Sequence, residues 1–178
     1  MKKVFLKRNY PKGITLPEIL IYIAVLSIIV VVILSFIIWV VNSNNKTKAM
    51  RTVLDQAARA MDVMTQEVRG AKSVYAPTST SGQLSLETTK YLPQGENASY
   101  VDFFLCGKRL CMKKETDAIP VALTADNVEV NNLNFTRIVS GGKPSVKIEL
   151  TVDFLNTANR PEYQATINLT SSVSLRSY

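Results

Sequence analysis

The chain carries one long stretch of apolar residues near its amino end. From Ile19 to Val41, 23 consecutive residues contain no charged side chain, and only Ser27 and Ser35 are not apolar. A helix of this length measures about 34 Å, which is enough to cross a hydrocarbon layer of about 30 Å. A buried core helix is the alternative, but such helices are rarely apolar on every face over this length. The pattern therefore predicts a transmembrane helix, which we place at residues 14–41.

A second, amphipathic pattern follows the apolar run. Apolar residues return at alternating spacings of four and three, which is the periodicity of one helix face. They are Met50, Leu54, Ala57, Met61, Met64, Val68 and Ala71. Gly70 and the loop that begins at Pro77 end the pattern. We predict that the helix continues over residues 42–71, where Asn42 to Asn45 could loosen it, and that the stripe faces a core.

The remaining residues, 72–178, alternate between apolar and polar positions as strands do. The clearest alternation runs from Val146 to Phe154 and again from Tyr163 to Leu175, which predicts two paired strands with a hairpin around residues 156–161. The apolar parity changes between Val130 and Leu133, which predicts a β-bulge near residues 131–132. Further strands are expected at residues 83–87 and 100–112. The predicted fold class is α+β, with one long N-terminal helix packed on a mostly antiparallel sheet head.

The charge of the chain is concentrated at its amino end. The 178 residues include 21 Lys and Arg against 14 Asp and Glu, a net charge of +7. Five of the basic residues lie in the first 13 positions, where there is no acidic residue: Lys2, Lys3, Lys7, Arg8 and Lys12. This excess favours a cytoplasmic amino terminus with the rest of the chain outside, and it gives little support to a nucleic-acid-binding domain.

The composition also argues against catalysis. The sequence has no His, which is the commonest general base and metal ligand. We find no nucleophile–base pair, no phosphate-binding loop and no clustered carboxylates, so we predict that the chain is not an enzyme and needs no cofactor or metal. An ordinary secretory signal is a poor explanation for the apolar run, because signals have about 7–15 apolar residues and end in a small-residue cleavage site.

The residues just before the apolar run carry a more specific pattern. Residues 12–32 read KGITLPEILIYIAVLSIIVVV. This segment resembles the class III signal of type IV pilins and type II secretion pseudopilins. The resemblance implies a leader at residues 1–13, cleavage between Gly13 and Ile14 by a prepilin peptidase, N-methylation of Ile14, and Glu18 as the glutamate used in subunit assembly. Ile14 and Pro17 differ from the Phe and the Ile or Val that are common at these positions.

Glu18 also has a local explanation. Thr15 to Glu18 fit the Ser/Thr-x-x-Glu capping box, with Thr15 as N-cap and Glu18 at the third helical position. On the other hand, a carboxylate beside a membrane-length helix is costly unless it is paired. If cleavage leaves a free amine at Ile14, the amine of a neighbouring subunit is an obvious counter-charge. We favour pairing over capping because of the family resemblance.

The two cysteines are expected to close a hairpin. Cys106 and Cys111 are separated by four residues, and with Lys108 and Arg109 as a two-residue turn they face each other within disulfide reach. Free thiols or a two-ligand metal site are the alternatives, but an extracytoplasmic location favours the disulfide. The basic residues Lys108 and Arg109 are explained by a solvated hairpin, and an anion or DNA contact is the alternative.

The sequence at the end of the helix is most similar to that of minor subunits of the family. Residues 56–71 are similar to the corresponding part of J-type minor pseudopilins and W-type minor pilins, and residues 174–176 are similar to the end of that group. The resemblance implies a bacterial cytoplasmic-membrane protein that later joins an extracytoplasmic filament. Its partners would be the prepilin peptidase, other major and minor pilins or pseudopilins, the inner-membrane assembly platform and the lipid bilayer, with nucleic acid only in a DNA-uptake pilus. A membrane-anchored adhesin or receptor with a β-rich ectodomain, and a secreted hydrolase-like domain, are the rival interpretations.

Overall fold

The computed structural model describes residues 13–140 and 143–176. The predicted leader, residues 1–13, therefore lies outside the described residues except for Gly13. The chain divides into two compact units, of which one ends at Asn42 and the other begins at Ser43. Each unit is described by itself.

A single long α-helix contributes residues to both units. Helix α1 spans Leu16–Gly70, and Asn42 to Asn45, which the sequence suggested as a loosening point, are helical. In the first unit every described residue of α1 is exposed, so the uninterrupted run of apolar side chains lies at the surface of the structure. The hydroxyls of Ser27 and Ser35 donate hydrogen bonds to the helix carbonyls of Ala24 and Val31. These two polar groups therefore need no partner outside the helix, as an apolar environment demands.

The second unit contains eight strands in two antiparallel sheets. The first sheet has the order β1-β2-β3-β4-β5 and the second the order β6-β7-β8. The strands are β1 (Ser73–Val74), β2 (Gln83–Thr88), β3 (Ser99–Cys106), β4 (Arg109–Lys114), β5 (Val121–Ala122), β6 (Val128–Ser140), β7 (Lys143–Phe154) and β8 (Thr166–Ser174). Together with α1 they confirm the α+β fold and the mostly antiparallel head.

The core of the second unit forms where the buried face of α1 meets both sheets. The largest buried side chains include Met64 of the helix, Phe103 of the first sheet and Ile148 of the second sheet, and all three are fully buried. The predicted alternation in β7 is confirmed, because Val146, Ile148, Leu150 and Val152 are all buried. A head of this kind folds around its own apolar core without using the exposed apolar half of α1.

The helix stripe that faces the core differs from the prediction at its start. Met50 and Leu54 are 39% and 45% exposed, whereas Ala49 and Val53 are 2% and 0% exposed. From Ala57 to Val68 the predicted positions are buried as expected. A stripe with strict 4-3 spacing drifts around a straight helix of 3.6 residues per turn, so over several turns the buried row moves by one residue. The prediction was therefore wrong for Met50 and Leu54.

The pairing of β6 with β7 confirms the predicted bulge. Val130 lies opposite Val152 and Asn132 lies opposite Thr151, so Asn131 has no partner in the ladder. The extra residue lets the buried side chains before and after it share one face.

The start of β8 also differs from the prediction. The strand begins at Thr166, and Tyr163 lies in a short 3₁₀ turn, Pro161–Tyr163. Pro161 occupies the first position of this turn, where its fixed φ and missing N–H are tolerated. Tyr163 stacks on Phe154 with ring centroids 5.7 Å apart, which explains its partial burial outside a strand. The predicted connection at residues 156–161 is confirmed as part of the link between the two paired strands.

Candidate functional site

The amino end of α1 holds the predicted processing and assembly residues. Gly13, Ile14 and Thr15 precede the helix, which begins at Leu16. Ile14 is 68% exposed, and a Cβ on Gly13 would meet no atom within 4 Å. The bond between Gly13 and Ile14 therefore lies in non-helical backbone with open space around it. A peptidase needs this kind of accessible and unstructured segment.

Glu18 lies in the first turn of α1 and has two neutral hydrogen-bond donors. Its Oε2 accepts from the Thr15 backbone N–H at 3.5 Å, and its Oε1 accepts from the Tyr22 hydroxyl at 3.3 Å. The first contact is one half of the predicted capping box. Sequence reasoning missed Tyr22, although its spacing of four residues from Glu18 places both side chains on the same helix face.

The helix that follows Glu18 is long and apolar enough to cross a membrane. Its most apolar window of 18 residues has a mean hydropathy of 3.2, and none of that window is buried. Among the described residues, α1 is the one helix with this property. Length and hydropathy therefore support a single membrane crossing near the amino end.

The two cysteines form a disulfide, as predicted, but the turn between them differs by one residue. Cys106 pairs with Arg109 and Phe104 pairs with Cys111, so the two-residue turn is Gly107-Lys108. The φ of Gly107 is +68°, the conformation that a type II′ turn requires at its first central position and that glycine adopts without strain. The expected turn, Lys108-Arg109, was therefore wrong. The cysteines lie diagonally across the two strands, and their Cα atoms are 5.9 Å apart.

The two basic residues at the turn of this hairpin have acidic partners within the head. The Lys108 ammonium lies 2.7 Å from a carboxylate oxygen of Glu129, and the Arg109 guanidinium pairs with Asp126. In addition, the Lys108 carbonyl accepts a hydrogen bond of 2.8 Å from the Val130 N–H. The turn is thus attached to the start of β6. Because the two charges at the turn are already paired, the turn itself gives little support to an anion or DNA contact.

Few ionisable groups in the head have a shifted pKa, and the shifts have simple causes. A hydrogen bond from Lys72, together with one from Ser73, lowers the pKa of Glu87. A hydrogen bond from Lys147, together with one from Asn134, lowers the pKa of Glu149. These are ordinary ion pairs on the sheets rather than opposed shifts within a cleft, which are typical of acid–base catalysis. Among residues 13–140 and 143–176, no three Cys, Asp or Glu side chains come together as a metal site would require.

Comparisons with known proteins do not identify a family. No family model matches the chain, and no curated protein matches it. The solved structure of apo shwanavidin matches 54% of this chain and 80% of its own chain at 11% identity, with a TM-score of 0.23. A similarity this low carries no argument about fold or function.

Proposed function

We propose that the chain is a minor pilin or pseudopilin, a structural subunit of a type IV pilus or a type II secretion pseudopilus. The observation that carries this proposal is the position of Glu18, a carboxylate in the first turn of an exposed apolar helix. Its partners within the chain are the neutral Thr15 N–H and the Tyr22 hydroxyl. Neutral donors solvate a carboxylate but leave its charge uncompensated, so a cationic partner from another subunit is favoured in a membrane.

The segment before Glu18 supplies such a cation in this proposal. Cleavage after Gly13 converts Ile14 into a new amino terminus with a positively charged amine, which the peptidase then methylates. Pairing of the Ile14 amine with Glu18 of the adjacent subunit sets the axial position of one helix against the next. Each added subunit buries its apolar helix among those of its neighbours, which removes this surface from lipid as the filament leaves the membrane.

The head supports a structural role. It has a core of its own and a disulfide suited to an oxidising compartment. Before assembly, the chain crosses the bacterial cytoplasmic membrane once, with its amino end in the cytoplasm and its head outside. We favour a minor subunit because residues 56–71 resemble those of J-type pseudopilins and W-type pilins.

Mass analysis of the mature amino terminus tests this function. A chain that begins at methylated Ile14 is expected. A chain that keeps Met1 indicates a permanent membrane anchor, and one that begins beyond Val41 indicates a secreted head. Either of these results contradicts the proposal.

A membrane-anchored adhesin or receptor is the second candidate. It is favoured by the capping contact between Glu18 and Thr15, because a carboxylate that caps its own helix needs no neighbouring subunit. In that case the helix remains in the membrane and the head acts alone at the cell surface.

A further inference from the structure

A groove of about 570 Å³ lies where the carboxyl end of α1 meets the edge strand β8. Three cationic side chains and several neutral polar groups line it, and the described residues of its lining include no carboxylate and no aromatic ring. The charged and polar side chains are Arg69, Lys90, Arg176, Gln66, Ser172 and Ser174. All of them belong to the head unit, so the groove is complete without the membrane helix.

Lys90 reaches the end of the helix because residue 70 is a glycine. A Cβ on Gly70 would lie 3.0 Å from Cε of Lys90 and even closer to its ammonium nitrogen. The last carbonyls of a helix carry partial negative charge, equivalent to about half an electron. They attract the Lys90 ammonium, but they offset only part of one of the three positive charges at the groove.

Glu67, which has the nearest carboxylate among the described residues, neutralises little of the positive charge in the groove. Glu67 lies 4.0 Å from the Lys90 ammonium, which is beyond hydrogen-bond distance, and accepts a hydrogen bond of 3.1 Å from the Tyr91 hydroxyl. Within the part of the chain that the structure describes, neither Arg69 nor Arg176 has a carboxylate within 4.0 Å. The groove therefore keeps a clear positive surplus.

The backbone at Tyr91 adds a second sign that this region is specifically arranged. Tyr91 has a φ of +57°, which is unusual and strained for a bulky residue. Two contacts hold it there: the hydrogen bond to Glu67, and the Lys114 ammonium, which lies 3.9 Å from the centre of the Tyr91 ring. This conformation fixes the backbone next to Lys90, which lines the groove.

We propose that this groove binds a carboxylate side chain of an extended acidic segment from a partner protein. Two guanidinium groups and an ammonium that line one groove supply the charged donors that bind carboxylates. The adjacent strand β8 pairs with β7 on one side and, in the described ranges, with no strand on the other. Its free main-chain groups can therefore bind an extended segment. A nucleic acid fits less well, because none of the described residues that line the groove has an aromatic ring to stack on a base.

This proposal does not depend on the function proposed above, and it can be tested on the full chain in detergent micelles. The probe is a fluorescent, end-blocked hexapeptide of alternating Glu and Thr, and its binding is measured by fluorescence polarisation. The control probes are the same peptide with Gln in place of Glu and a thymidine hexanucleotide. We expect the Glu peptide to bind, the Gln peptide not to bind, and the oligonucleotide to bind more weakly than the Glu peptide.

Variants that remove equal charge distinguish binding at the groove from non-specific electrostatic attraction. Arg69→Gln with Arg176→Gln should weaken binding of the Glu peptide by about fivefold or more. Arg51→Gln with Arg59→Gln removes the same charge from an exposed part of α1 outside the groove and should leave binding unchanged. Thermal unfolding shows whether each double variant is folded. If the groove variant is not, the single change Lys90→Gln is used in its place.

Gly70→Ala provides a test in which every charge is kept. The added Cβ moves the Lys90 ammonium from the helix end, so binding should weaken by about twofold or more. Ala is the better helix former, so the thermal midpoint should not fall. The proposal is overturned if the Glu peptide does not bind, if both double variants weaken binding equally, or if the oligonucleotide binds more tightly than the Glu peptide and loses binding in the groove variant.

Discussion

The Lys72 ammonium donates a hydrogen bond of 2.9 Å to Oε1 of Glu87 and so connects the residues just after α1 to strand β2. The Ser73 hydroxyl donates to the other carboxylate oxygen at 2.8 Å, and the Lys72 N–H donates to the Glu87 carbonyl at 2.8 Å. The two side-chain hydrogen bonds lower the pKa of Glu87, and the hydrogen bond to Glu87 raises the pKa of Lys72. The end of the helix is thus attached to the first sheet by side chains and main chain together.

This pair predicts a loss of stability in acid. Because folding lowers the pKa of Glu87, its contribution is fully present above the ordinary value of 4.5 and is lost as the pH falls through the folded value. Between about pH 5 and pH 3, the thermal midpoint should therefore fall more in the wild type than in Glu87→Gln. Asp55→Asn, which removes a carboxylate from the exposed face of α1, is the control. Equal slopes in the wild type and Glu87→Gln would contradict the prediction.

The corrected helix stripe predicts that two methionines differ in their effect on stability. Met64 is fully buried, so Met64→Ala should lower the free energy of unfolding of the head by about 2–5 kcal/mol. Met50 is exposed, so Met50→Ala should change it by less than about 0.5 kcal/mol. Chemical denaturation in detergent, followed by circular dichroism, measures both values. A large loss of unfolding free energy for Met50→Ala would contradict the exposed position of Met50 and support the stripe that the sequence predicted.

The disulfide between Cys106 and Cys111 should stabilise the head modestly. The closed loop is short, so the entropic model gives at most about 2 kcal/mol. The double change of both cysteines to Ser should lower the thermal midpoint by several degrees without preventing folding. In the wild type, alkylation should label both thiols only after reduction. Labelling of the thiols before reduction would contradict the disulfide between Cys106 and Cys111.

Gly13 tests the proposed processing site. The peptidase must bring the backbone before the cut bond into its active site, and a branched side chain there hinders close approach. Gly13→Val should therefore accumulate in the membrane as an uncut precursor that keeps its first 13 residues, while the head folds normally. Mass analysis of the membrane fraction measures the uncut form. Processing of this variant at the wild-type rate would contradict the proposed cleavage.

Glu18 distinguishes a filament subunit from a permanent anchor. If it pairs with a neighbouring amine in the membrane, Glu18→Ala leaves that amine unpaired at a cost of about 3–5 kcal/mol. The variant should still be cleaved, inserted and folded, but it should be missing from sheared filaments and from complexes with other subunits. Glu18→Asp keeps the charge with a shorter reach and should give intermediate recovery. Recovery of Glu18→Ala at the wild-type level would favour the anchor.

The sequence predicted the fold class because its two periodicities are distinct. A helix whose lower half buries one face, and strands such as β7 that bury every second residue, depend on local patterns. The errors arose where a local pattern allows two answers. Met50 and Ala49 are adjacent on the helix surface, and only the position of the sheets decides which of them is buried. The Cys106–Cys111 hairpin likewise allowed two turns, and the positive φ of Gly107 decided between them.

The candidate sites were only partly predictable for a similar reason. Gly13, Ile14 and Glu18 lie close together along the chain, so a linear pattern identifies them. The groove at the end of α1 joins Arg69, Lys90 and Arg176 from three distant parts of the sequence. No spacing rule connects such residues, because folding alone brings them together. The same holds for the acidic partners of Lys108 and Arg109, which follow from the attachment of the hairpin to β6.

The bulge in β6 makes Asn131 the place where this strand can change its length. Without Asn131, the residues from Val128 to Phe135 would alternate regularly, and every buried side chain would still face the core. Loss of one residue on either side of the bulge, such as Asn134, would instead turn the following apolar side chains towards solvent. Relatives of this protein can therefore be expected to lose a residue at position 131, and to vary elsewhere in β6 by substitution alone.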